Sequence, residues 1–200
     1  MAPVLLLPYS EPWRDVVTTT AAAFGKEDEG DAIVEAIEGR IGEVAGEVGG
    51  DEPTMSILGD TMGMLFAMSP KAPLSELVGE IGYSRPAAQA EGKVDPAYDS
   101  AVMISEEVLG DHDGDVIVLL DGYYYASKTF LDSPVFEGLP GVKAGNDAVV
   151  DGDMWAGSYP FAISWILDDI EAIATGEAEH GIGTIDDLDA RWAGYERLVG

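Results

Sequence analysis

The side chains able to do chemistry are few in kind. The 200-residue chain has two histidines and no cysteine against 38 acidic residues. That removes thiolate nucleophiles, disulfides and cysteine metal sites together. His112 lies in Asp111-His112-Asp113-Gly114-Asp115, whose alternating aspartates resemble the start of a calcium loop. The pattern then fails: the sixth place holds Val116 instead of glycine, and no glutamate stands at the twelfth. The segment reads as a solvated acidic loop. His180, after Glu177 and Glu179, reads as part of a second exposed linker. No nucleophile elbow, phosphate-cradling glycine loop or zinc helix signature is present. There is thus no candidate catalytic residue, and no cofactor or resident metal is implied.

Recognition has better candidates. Tyr123, Tyr124 and Tyr125 follow Asp121-Gly122, and Trp155 and Tyr159 lie just past a second apolar run. Tyrosine and tryptophan join a large rigid surface to a polar handle, which suits a bulky, partly polar ligand. Each also has an ordinary reading, as packing at a strand end or a helix start. Arg85 is one of only ten cationic residues and is a candidate anion holder; the plain alternative is a surface arginine. Met62, Met64 and Met68 are adaptable core filler or a soft ligand-facing surface.

The elements that must position these groups can be read from hydrophobic period. Residues 116–120 are a continuous apolar run bounded by Asp-Gly, which predicts a strand buried on both faces. Residues 148–150 predict a second strand, 54–58 a third with a loop at 59–61, and 100–104 a fourth. Ligands of open α/β sheets bind beyond the carboxyl ends of the strands, where both aromatic groups fall. Residues 4–7 have strand composition. Helices are predicted from Pro12 to Phe24, over 27–48, from Pro73 to Ile81, and from Pro160 to Thr175. Short ones are predicted over 106–109 (capped by Ser105), 127–131 and 134–138, with a turn-rich bridge at 139–145. A capping pattern at Thr184 and Asp187 opens a last helix over 184–198. The alternation predicts an α/β fold, a three-layer αβα Rossmann-like lobe with a mainly parallel sheet.

Composition bounds the partners. At 46% hydrophobic residues the chain can bury a full core. Its net charge of −28 argues against nucleic acid and anionic lipid, which both need lysine and arginine at the contact. An acidic shell over a normal core, with lysine scarce, is the composition of proteins from salt-loving organisms.

Two segments resemble the substrate-binding proteins of ABC importers, in particular the iron-siderophore and vitamin B12 group. Ile104-Ser105-Glu106-Glu107-Val108-Leu109 followed by Asp115-Val116-Ile117 is similar to one element of that group. Leu131-Asp132-Ser133-Pro134, Leu139 to Gly145, Val149-Val150-Asp151 and Trp155 are similar to another. The long helix over 27–48 resembles the rigid helix joining the group's two lobes. The resemblance implies the second, carboxy-terminal lobe, with its first lobe missing. It divides the chain into 1–50 (end of a first-lobe strand plus inter-lobe helices), 51–175 (the α/β lobe) and 176–200 (a helical tail). It implies a non-enzymatic, extracytoplasmic protein, anchored to the membrane through a missing amino-terminal segment. Its ligand is a ferric siderophore or similar chelate, gripped by Tyr123, Tyr124, Tyr125, Trp155, Tyr159 and Arg85. Its partner is an ABC permease, on whose arginines Glu106 docks. The rival readings are a cobalamin-binding protein, and an α/β enzyme or regulatory domain on the same fold.

Overall fold

The computed structural model describes residues 4–7, 11–94, 100–178 and 182–200. Helices α1 (Trp13–Phe24) and α2 (Glu27–Glu47) come first. There follow strands β1 (Met55–Thr61) and β2 (Met64–Met68), helices α3 (Pro73–Ile81) and α4 (Ala87–Ala90), and strand β3 (Ala101–Met103). A 3-10 helix, Glu106–His112, leads into β4 (Val116–Asp121). Three single-turn helices, α5 (Lys128–Leu131), α6 (Pro134–Glu137) and α7 (Pro140–Lys143), precede β5 (Asp147–Asp151). Helices α8 (Gly152–Trp155), α9 (Pro160–Thr175) and α10 (Leu188–Val199) complete the fold.

The strands form one sheet in the order β3-β2-β1-β4-β5. β4 pairs in parallel with both β1 and β5, while β2 runs antiparallel between β1 and β3. Four strands therefore point one way and β2 the other, in agreement with the predicted α/β lobe. β4 is buried on both faces, as its unbroken apolar run requires. Val118 and Leu120 enter a core shared with α1, α2, α3 and α9, whereas Ile117 and Leu119 enter a second core with Leu109, Phe130 and Phe136. Those two cores make the three layers.

Three expectations are corrected. Residues 59–61 are strand, not loop, and the methionine-rich segment after them is β2. The hairpin turn is Met62-Gly63, closed by the Thr61–Met64 pair. Both turn residues have positive φ, 56° and 81°, as a two-residue hairpin turn matched to strand twist requires. Methionine rarely occupies such a position, so the turn carries no ordinary signature. Residues 4–7 form no strand; Val4 is 80% and Leu6 84% exposed, and strand composition without a partner strand gives no ladder. The bridge at 139–145 holds a helical turn, α7, begun by Pro140 at its first position.

The tail also departs from a plain helix. Ile182 forms a parallel bridge with Val150, extending the sheet at the β5 edge. Thr184 N–H donates to Asp187 Oδ2 at 3.1 Å as the capping pattern predicts, but residues 185–187 form a 3-10 turn and α10 begins at Leu188. His180 lies outside the described residues.

Candidate ligand cavity

The carboxyl ends of β1, β4 and β5 each carry an aspartate, and each carboxylate organises the loop that follows. Asp60 accepts from Gly63 N–H at 2.7 Å and from the Thr129 hydroxyl. Asp121 accepts from the Ser127 N–H and hydroxyl, both at 2.9 Å. Asp151 caps α8, accepting from the N–H groups of Asp153 and Met154 at 3.0 Å. Asp153 reaches back from α8 to accept the Tyr123 N–H at 2.7 Å, which ties the tyrosine loop to the β5 end. Gly122 has φ of 151°, and a Cβ there would stand 2.8 Å from Asp153 Oδ2. Only glycine lets that carboxylate close over the turn. These aspartates are the positioning residues that composition alone hides among so many exposed ones.

The loop so held borders a cavity of about 340 Å³, within the roughly 300–1,000 Å³ usual for small-molecule sites. β2 supplies Met64, Phe66 and Met68, β3 supplies Met103, and the loop supplies Tyr124 and Tyr125. The remaining wall comes from Thr61, the start of α3, Ser100 and Ala101 at the start of β3, and residues 155–158. Among the described residues no charged side chain lines it. Tyr125 is partly buried, its ring 6.1 Å from that of Phe66. It lies so close over Gly152 that a Cβ there would come 2.5 Å from the ring. Tyr123 and Tyr124 are 88% and 68% exposed and meet edge to face, centroids 4.9 Å apart. The methionines divide: Met62 stands out in solvent at the hairpin tip, while Met64 and Met68 face the cavity.

The other expected site residues are placed differently. Trp155 has no accessible surface; its indole N–H donates to Asp169 Oδ2 at 2.7 Å, so it backs the wall instead of offering a free face. Tyr159 sits half exposed beside the wall as the residue preceding α9, its hydroxyl donating to Met154 Sδ at 3.4 Å. Burial, then Asp151 and Asp153, push its phenol above the ordinary range. Arg85 is not at the cavity. Its guanidinium donates to the Met68 carbonyl at 3.0 Å and to Gln89 Oε1 at 2.6 Å, and Gln89 in turn donates to buried Ser56. Ser56 lies on the Leu58 face of β1, opposite the core that holds Phe66 and Met68. Burial pushes Arg85 down to about 10. The guanidinium therefore closes a sheet end, and an anion-holding role at this wall has no geometry behind it.

His112 is a further correction: it is buried, which pushes its imidazole pKa down, and is no solvated loop residue. Its neighbours are structural too. Asp113 accepts from Gly141 N–H, and Asp115 accepts from the Thr54 N–H and hydroxyl. Glu106, exposed at the start of the 3-10 helix, accepts from the Ser133 hydroxyl at 2.5 Å, and Ser133 itself caps α6. The two segments that carried the family resemblance thus meet in one hydrogen bond. Among the described residues no group of three or more histidines and carboxylates is arranged to hold a metal ion, and no helix is long and apolar enough to cross a membrane.

No protein-family model and no curated protein sequence matches the chain. Solved structures do. A siderophore periplasmic binding protein from the fuscachelin gene cluster of Thermobifida fusca superposes with a TM-score of 0.69 at 18% identity, over 84% of this chain and 61% of that one. FhuD2 of Staphylococcus aureus with bound ferrioxamine B gives 0.68 at 16% identity, over 89% and 70%. FeuA of Bacillus subtilis, a triscatecholate siderophore binding protein in complex with ferri-bacillibactin, gives 0.69 at 18% identity, over 82% and 59%. The chain thus spans 61% of the length of the first of these. At such identities the likeness establishes the fold: a mixed α/β lobe built as in siderophore-binding proteins of this kind.

Proposed function

We propose that the chain is one lobe, the carboxy-terminal one, of an extracytoplasmic binding protein that captures a ferric siderophore or related chelate for an ABC importer. The observation that carries this is the aromatic and methionine-lined cavity, with no charged side chain among the described residues, that opens beside the carboxyl ends of β1 and β4 and runs along β2 and β3. A lobe of this fold places its ligand surface at such strand ends. Tyr124 and Tyr125 form the ligand wall, Tyr123 extends it into solvent, and Tyr159 flanks it. Trp155 is its rigid support. Recognition is by ring faces and soft sulfur against the chelate's organic shell, with no bond made or broken. The second face of the cleft belongs to the first lobe. Glu106, held by Ser133 on the far side of the sheet, is free to meet a permease cation without disturbing the ligand.

Charge sharpens the choice of chelate. Among the described residues the wall carries no cation, and the chain as a whole carries −28. In dilute buffer an anionic tris-catecholate complex is repelled by that field, whereas a neutral or cationic ferric trihydroxamate is not. Titration of the chain with ferrioxamine B, a ferric tris-catecholate and cobalamin, followed by tryptophan fluorescence, tests both points. The expected result is saturable quenching by ferrioxamine B, weakened about tenfold or more in Tyr124→Ala. Preferential binding of the tris-catecholate overturns the charge argument, and preferential binding of cobalamin overturns the siderophore reading. An affinity indifferent to Tyr124→Ala removes the wall assignment.

A further inference from the structure

The tail over 176–200 lies outside the region of family resemblance, yet it reaches into the core through one chain of contacts. Asp169, on α9, is fully buried. Its two carboxylate oxygens are used separately: Oδ2 accepts the Trp155 indole N–H at 2.7 Å, and Oδ1 accepts Arg191 Nη2 at 2.6 Å from α10. Arg191 is fixed twice more, donating to the Trp165 carbonyl at 2.9 Å and lying 4.4 Å over the Trp165 ring. Gly183 closes the top. A Cβ on it would stand 2.5 Å from Asp169 Oδ1 and 2.7 Å from Arg191 Nη2, so even a methyl there must displace the pair. Beyond, Trp192 and Tyr195 pack edge to face on Phe161 at 5.0 and 5.7 Å, which docks the helix on α9. No residue of α10 lines the cavity.

We propose that α10 is a positioning element for the cavity: Arg191 fixes Asp169, Asp169 fixes the Trp155 indole, and Trp155 fixes the wall on which ligand is held. Its consequence for affinity rests on the reading of the cavity given above; the relay itself does not. A buried carboxylate held from one side only is free to reorient, and the ring bonded to it moves as well. Arg191 acts as a clamp because its planar fork meets a carboxylate and a carbonyl at once, which an ammonium cannot. The charged groups near Asp169 are Arg191 from α10 and Asp168 beside it on α9, the latter engaged by Arg40 of α2. Trp155, from α8, is uncharged.

The test follows the indole N–H signals of the intact chain by nitrogen-15 correlation NMR. In the wild type the Trp155 signal moves with pH as Asp169 titrates. In Arg191→Gln its midpoint rises, because the cation that favours the carboxylate is gone, and the signal shifts even at neutral pH. Arg191→Lys restores the midpoint in part. The Trp192 signal reports whether α10 is still docked. Should Arg191→Gln undock it, Gly183→Ala, which presses on the pair while keeping every charge, is expected to displace the Trp155 signal instead. A Trp155 signal unchanged in both variants overturns the relay. Ferrioxamine B affinity, expected to fall about fivefold or more in Arg191→Gln, supplies the functional arm. Unchanged affinity with a displaced indole limits α10 to a structural part and overturns its positioning role. If the wild-type chain binds no chelate at all, the cavity reading fails, and the NMR arms still decide the relay.

Discussion

Asp169 shows how a single carboxylate can be well bonded and still cost stability. Its burial outweighs the Arg191 charge and the two hydrogen bonds, and its pKa is pushed from 3.8 up to about 6. Between those values the folded lobe keeps a proton that the unfolded chain has released. The contribution is therefore complete below about pH 4 and is lost as pH rises through about 6, a change of about 3 kcal/mol. Asp169→Asn keeps an acceptor for Trp155 and removes the charge. Urea denaturation of the two chains between pH 4 and 7 should show the wild type losing stability relative to the Asp169→Asn variant across that window; parallel curves would sink this account. None of it was legible in the sequence, where Asp169 is one acidic residue among 38. Trp155 and Arg85 were legible as unusual residues, but not in their roles. Which way a ring or a guanidinium turns depends on partners such as Asp169 and Gln89, and no local pattern announces those pairings.

Helices and strands were more legible than their joints. The long 3.6-residue period of α2, with Ile37, Ile41 and Val44 buried on one face, announces itself, as does the apolar run of β4. The β1–β2 hairpin did not, because its turn uses Met62 where asparagine or glycine is expected. Also hidden was how the helical layer is pinned. Arg14 of α1 meets Glu38 of α2 at 2.8 Å and forks onto Glu80 of α3 at 3.1 and 3.0 Å. Arg40 of α2 forks onto Glu171 of α9 at 2.9 and 2.6 Å and adds Asp168. Those two carboxylates raise the Arg40 pKa further above its ordinary value. Arginine in this chain is used to join helices, and α2 and α9 share its best example. Arg40→Met, which keeps the apolar stem, should cost about 2 kcal/mol in urea unfolding at unchanged m-value. Arg40→Lys should cost less but not restore the fork. A loss below about 0.5 kcal/mol for Arg40→Met would mark the pair as surface decoration.

For the molecule as a whole, the sheet order and the acidic shell set behaviour together. The sequence announced the alternation of strands and helices and hence the lobe, while the reversed direction of β2 followed from a turn it concealed. With −28 on 200 residues, repulsion among exposed carboxylates opposes folding in dilute buffer and is screened in brine, where the Debye length falls to about 3 Å at 1 M salt. The melting temperature should therefore climb steeply between dilute buffer and molar KCl, the behaviour we propose for a salt-adapted shell. A flat response would argue against that adaptation. The Arg191 clamp has one more consequence, for the order in which the chain is made. Asp169 leaves the ribosome 22 residues ahead of the arginine that meets it. In that interval α9 carries a carboxylate that its clamping arginine has not yet reached, and the aromatic face of Phe161 is uncovered. The lobe can collapse around its sheet before α10 is made, but its final packing waits for Arg191 to emerge.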